Sequence, residues 1–179
     1  QGRISILIWL ANTPFRQGGK VVLLLKEPKY VLDTNVFINM QRHHPYDVFG
    51  SLWIKMADLI DEGIVISCDE VLDELSIGND FLLKWAKQRK GAFISSGPDV
   101  QIMVREILRK YPTLVTGSRK SNGADPFVIA LAKLKKCTLV SDETRAGDGQ
   151  PVKIPNVCEA YGVRLIKFVD FLREVKISI

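Results

Sequence analysis

Four acidic positions, far apart along the chain, have the residue types and local settings that hydrolytic chemistry would use. Asp33 ends the apolar run Tyr30-Val31-Leu32 and is followed by Thr34 and Asn35. Glu74 closes Asp69-Glu70-Val71-Leu72-Asp73-Glu74-Leu75, where Val71, Leu72 and Leu75 form a helical apolar stripe with Glu74 beside it and Glu70 and Asp73 turned to solvent. Asp125 precedes Pro126 at the start of an apolar segment, an N-cap and first-turn pairing in which the helix dipole favours the ionised form. Ser141-Asp142-Glu143 follows the apolar run Thr138-Leu139-Val140 and offers two candidates for a fourth acid. Gathered at ~5 Å separation with an effective dielectric near ~20, each pair of carboxylates would repel by about 3 kcal/mol. Such a cluster calls for a cation. An all-oxygen donor set selects magnesium or manganese over zinc or copper, and one or two such ions would activate water and neutralise a phosphate, the requirements of phosphodiester hydrolysis.

Positioning these acids requires a scaffold that brings strand ends together. From Tyr30 onward, short apolar strands alternate with amphipathic segments of helical length, the pattern of a parallel sheet covered by helices. Strands are predicted at Tyr30–Leu32, Ile64–Ile66, Thr138–Val140 and Arg164–Ile166, with helices at Val48–Glu62, Phe81–Lys90, Asp99–Lys110 and Asp125–Lys136. Gly63 is the stop of the first of these helices and Pro112 lies just beyond the third. In open parallel sheets the carboxyl edge of the strands is the ligand-binding edge, which is where Asp33 would lie. An Asp that only caps the following helix is the plainer alternative at that position.

Residues 1–28 read as a separate, unassigned N-terminal extension, in which Gly18 and Gly19 divide two apolar segments, Ile4–Ala11 and Val21–Leu25. A hairpin, a helix or a partner surface would fit it equally. Residues 29–179 read as one α/β domain. The chain of 179 residues has 25 Lys plus Arg against 20 Asp plus Glu, a formal charge of +5, and is 46% hydrophobic, which excludes a disordered chain and suits a polyanionic partner. No apolar run approaches the ~20 residues needed to span a bilayer. Cys68, Cys137 and Cys158 have neither disulfide-framework nor zinc-ligand spacing, so a reducing, cytoplasmic setting is expected.

Together, Tyr30-Val-Leu-Asp33-Thr-Asn35, the Glu74 helix, Ala124-Asp125-Pro-Phe-Val-Ile-Ala-Leu-Ala132 and Thr138-Leu-Val-Ser141-Asp-Glu resemble the PIN domain of metal-dependent ribonucleases. Residues 29 to 174 are also similar to a prokaryotic PIN-like subfamily of unknown function related to VapC-type toxins, through Pro45-Tyr-Asp-Val-Phe49, Ile154-Pro-Asn-Val-Cys158 and Tyr161-Gly-Val-Arg164. The resemblance implies a three-layer α/β fold with a central, mostly parallel sheet. It further implies magnesium or manganese on Asp33, Glu74 and Asp125, RNA as substrate, an antitoxin protein as partner, and a homodimer. At the fourth position, spacing favours Glu143 and residue type favours Asp142. Asn35 would hold a ligand or water, and Ser141 would orient water.

Arg119 and Lys120, in a Gly-Ser-Arg-Lys-Ser-Asn-Gly loop before Asp125, are candidate phosphate contacts. His43 and His44, being adjacent, cannot share one metal and are expected to be structural. Lys84, Lys87, Arg89 and Lys90, with Lys133, Lys135 and Lys136, read mainly as solvated helix faces, and Trp53 and Trp85 as core. Two rivals to a nuclease are a non-catalytic PIN-like RNA- or protein-binding module and, more weakly, a phospho-acceptor domain with Asp33 as nucleophile. The latter lacks the expected neighbouring acids, since Lys29 and Asn35 occupy those places.

Overall fold

The computed structural model describes residues 15–17, 20–22, 26–77, 80–115 and 123–177. Within residues 1–28, β1 (Phe15–Gln17) pairs antiparallel with β2 (Lys20–Val22), Phe15 opposite Val22. A paired ribbon therefore flanks the glycine pair, while Ile4–Ala11 lies outside the described residues.

The central sheet contains β3 (Tyr30–Leu32), β4 (Val65–Cys68), β5 (Phe93–Ile94), β6 (Thr138–Val140) and β7 (Leu165–Ile166), all parallel, in the order β5-β4-β3-β6-β7. Successive strands build outward from β3 to one side, through β4 and β5. The chain then returns to the other side of β3 for β6 and β7. That reversal makes the carboxyl ends of β3 and β6 a topological switch point, the place where open α/β sheets carry their ligand crevice. Val31 and Leu32 point to opposite faces of β3, yet both are fully buried. Both faces of the sheet are therefore covered, which gives the three layers expected from the sequence.

Covering the sheet are α1 (Thr34–His43), α2 (Tyr46–Asp61), α3 (Asp69–Leu75), α4 (Asp80–Lys87), α5 (Pro98–Lys110), α6 (Asp125–Lys135), α7 (Ile154–Tyr161) and α8 (Phe168–Glu174). α6 packs on β3, β4 and β6, and Val128, Ile129, Ala130, Leu131 and Ala132 are all buried. A helix apolar nearly all round belongs between two layers, here the sheet and α5. Gly63, at φ +76°, follows the end of α2 in the left-handed conformation that glycine adopts without steric cost.

Several boundaries differ from the sequence expectation. α2 starts two residues early because Pro45 is its N-cap, with a kink at Phe49. β4 runs on to Cys68, and β7 begins one residue late. The N-cap of α6 is Ala124, so Asp125 is the first helical residue rather than the cap. β5 has only two residues, too few for any periodic signal.

Trp53 is fully buried, its ring 5.1 Å from that of Trp85 at 85°, an edge-to-face pair, and its indole N–H donates to the His44 carbonyl at 2.7 Å. The His44 ring packs edge-on against Phe49 and Phe168, a structural role. Arg89 departs from a solvated reading, since its guanidinium lies 4.6 Å from the Trp85 ring centroid and donates to the Trp85 carbonyl. Trp53→Ala should destabilise the domain by about 3–5 kcal/mol, measured by denaturant unfolding, because it empties a packed site and orphans a carbonyl.

Candidate active site

Asp33 lies just past β3, and its main-chain N–H donates to the Val140 carbonyl of β6 at 3.1 Å. It is the N-cap of α1: Oδ1 accepts the Thr34 N–H at 2.7 Å. Its other oxygen faces the crevice side chains, accepting the Ser141 hydroxyl at 2.8 Å and the Asn35 side-chain amide. Capping is thus only half of what this carboxylate does. Only 2% exposed, Asp33 is pushed up to about 7; burial is the largest cause, opposed by the Ser141 hydroxyl and reinforced by the charges of Glu143 and Glu74.

Glu74 spans two motifs. Oε2 accepts the Thr34 hydroxyl at 2.6 Å, and Oε1 accepts the Ala124 N–H at 3.0 Å, immediately before Asp125. Burial raises its pKa, opposed by those donors. Of its helix neighbours, Asp73 is exposed, whereas Glu70 accepts the Ser96 hydroxyl at 2.8 Å.

Asp125 is 7% exposed, and among the described residues no donor reaches its carboxylate. Burial, followed by the charges of Asp33, Glu143 and Glu74, pushes it up to about 9. The charges of Glu74 and Glu143 therefore act on both Asp33 and Asp125, and that of Asp33 acts on Asp125.

The two candidates for a fourth acid occupy different surroundings. The Asp142 carboxylate accepts the Phe168 N–H of α8 at 3.0 Å and the Asn39 side chain of α1 at 3.2 Å, while its own N–H donates to Asn35 Oδ1 at 3.0 Å. Asp142 joins three segments. Glu143 accepts the Ile154 N–H at the start of α7 at 3.1 Å, and its charge acts on both Asp33 and Asp125. Asn35 links the set, donating also to the Ser141 hydroxyl oxygen at 3.0 Å. Arg119 and Lys120 lie outside the described residues.

Among the described residues, no Lys, Arg or His forms an ion pair with any of these five acids. Nor do three or more His, Cys, Asp or Glu side chains draw close enough to enclose a metal ion directly. The Thr34 hydroxyl and the Ala124 N–H each hold an oxygen of Glu74, and the Ile154 N–H holds one of Glu143. The donor chemistry nevertheless fits a hard cation. Magnesium keeps several waters and commonly takes only one or two carboxylates, so a closed protein cage is unnecessary. The three cysteines are free and buried, with thiols shifted away from the reactive thiolate form by burial.

Residues 30–179 match the model of a family described as a domain of unknown function, DUF4411, and the chain belongs to that family. No curated protein matches the sequence significantly. Among solved structures, the chain is similar to the crystal structure of VapBC2 from Rickettsia felis bound to a DNA fragment from its promoter. That match has 16% identity and a TM-score of 0.49 over 78% of this chain and 98% of that one. It is also similar to FitAcB from Neisseria gonorrhoeae, with 20% identity and a TM-score of 0.46 over 76% and 96% of the respective chains.

Proposed function

We propose that this protein is a magnesium- or manganese-dependent endoribonuclease of the PIN type, acting as the toxin of a toxin–antitoxin pair. The observation that carries the reading is the set of buried and half-buried carboxylates at the switch point, with Asp33 and Asp125 held toward the protonated form and no basic ion-pair partner among the described residues. Protonation or a cation must relieve that charge, and the motif resemblance points to the cation. Asp33 and Asp125 would hold it, together with Glu74 and Glu143. When bound, the ion supplies Lewis acidity that activates water and offsets charge on the phosphate. Ser141 and Asn35 fix the Asp33 oxygen by donating to it, and Thr34 and the Ala124 amide fix Glu74. An antitoxin segment covering the acidic crevice and a homodimer accompany this reading.

The test is cleavage of single-stranded RNA with each ion, alongside calorimetric titration of manganese into metal-free protein. Ion-dependent cleavage with saturable binding supports the nuclease. Absence of binding at millimolar ion favours a non-catalytic PIN-like module, the reading that the two occupied oxygens of Glu74 favour. At the fourth position, Glu143→Gln should weaken manganese binding by tenfold or more, on the order of 10–100-fold. Asp142→Ala should leave that affinity within about threefold yet destabilise the fold by about 1–3 kcal/mol, because two donors lose their acceptor. The reverse pattern, in calorimetry and thermal melts, would exchange the two roles.

A further inference from the structure

We propose that Lys167 is a substrate-binding residue that contacts a backbone phosphate of the RNA, an inference that rests on the nuclease reading above. Lys167 directly follows β7, whose Leu165 and Ile166 pair with Leu139 and Val140 of β6, so it emerges at the same carboxyl edge as Ser141, Asp142 and Glu143. Its neighbourhood is held on both sides: the Ser141 N–H donates to the Ile166 carbonyl at 3.1 Å, and the Phe168 N–H donates to the Asp142 carboxylate. The half-buried side chain turns back to the acids, its ammonium donating to the Glu143 main-chain carbonyl.

That contact orients the charge without neutralising it. Arg145, Arg164 and Arg173, in the same third of the chain, pair with Glu159, Glu174 and Asp170 respectively. Lys167, among the described residues, has no carboxylate at ion-pair distance. An ammonium has three N–H donors, so two remain for phosphate oxygens. A phosphodiester approaching four carboxylates meets strong repulsion, and an anchored cation beside Glu143 reduces it at the point of approach. The sequence offered little sign of this residue, because one lysine between Ile166 and Phe168 has no motif around it.

The test is the salt dependence of RNA binding, read by fluorescence anisotropy with a short single-stranded RNA of mixed sequence and the full chain carrying Asp33→Asn to suppress cleavage. In that background Lys167→Gln removes the charge but keeps a donor for the Glu143 carbonyl. Losing one phosphate contact lowers the slope of log affinity against log salt by about 0.7, so the affinity deficit of K167Q should shrink about fivefold between about 50 and about 500 mM salt. Lys167→Arg should keep the parental slope. RNA binding with an unchanged slope in K167Q would overturn the role of Lys167 alone, whereas failure of both the Asp33→Asn parent and the wild-type chain with manganese to bind RNA would remove the nuclease reading and this inference with it. Amine acetylation of the parent, read by mass spectrometry, is independent of any folding defect in the variant. Protection of Lys167 by RNA is expected, and full modification in the saturated complex would refute the contact.

Discussion

Asp33→Asn should reduce ion-dependent RNA cleavage by at least about a hundredfold, since even groups that merely support metal ligands are worth about 10–100-fold. The substitution keeps the size and planarity of the side chain, and the amide oxygen can still accept the Thr34 N–H that caps α1. It removes the charge and presents an N–H₂ group where Asn35 and Ser141 now donate. Ser141 can rotate its hydroxyl, but Asn35 Nδ2 cannot become an acceptor without turning its amide, whose oxygen accepts the Asp142 N–H. A structural cost of about 1 kcal/mol is therefore expected, too small to unfold a domain of this size. Cleavage assays of purified wild-type and variant protein, with melting curves beside them, separate the two effects. Asp58→Asn, at an exposed position on α2, is the control for contaminating nuclease and should retain wild-type activity. Undiminished cleavage by Asp33→Asn would mean that the activity belongs elsewhere.

The parts of this site that local chemistry determines were legible in the sequence. Tyr30–Leu32 and Thr138–Val140 are strands with the predicted ends, because each is an apolar run ended by a polar residue. The Glu74 helix and the α6 run follow from their apolar patterns. Other features depend on partners distant in sequence. Asp142 and Glu143 are adjacent acids of nearly equal local merit, and what distinguishes their surroundings is the N–H of Phe168, Asn39 and the N–H of Ile154. The bracing of Glu74 is likewise nonlocal, since Thr34 lies 40 positions away and Ala124 lies 50. Lys167 gains its significance only when β7 docks beside β6. Periodicity can place an acid at a strand end, but whether its oxygens are already occupied depends on tertiary contacts.

Asp125→Asn should stabilise the metal-free protein at alkaline pH, although the residue is proposed to serve function. Folding raises the Asp125 carboxyl from its ordinary value of 3.8 to about 9, and burial and neighbouring acids are the causes. Between about pH 4 and 9 the folded carboxyl keeps a proton that the unfolded chain has released. The unfolded state then binds fewer protons, so stability falls as pH rises across that window, by at most about 1.4 kcal/mol per pH unit for this group. Asp33 adds to the same slope up to about pH 7. An amide in place of Asp125 has no proton to lose, so the variant should match wild type near pH 4 and exceed it at pH 8 by on the order of 3 kcal/mol, about half the ceiling of roughly 5.6 kcal/mol that this slope sets over about four pH units. In a domain of this size that corresponds to roughly 6–12 °C in Tm. Manganese at pH 8 should raise the Tm of wild type and have much less effect on the variant, because an ion that binds only the folded, ionised cluster counteracts the repulsion that the substitution removes. Melting curves at the two pH values, with and without the ion, give all four quantities. Equal stability of the two proteins at pH 8 would show that the Asp125 carboxyl is neither buried away from water nor facing the other acids, and the proposed metal site would then lose one of its ligands.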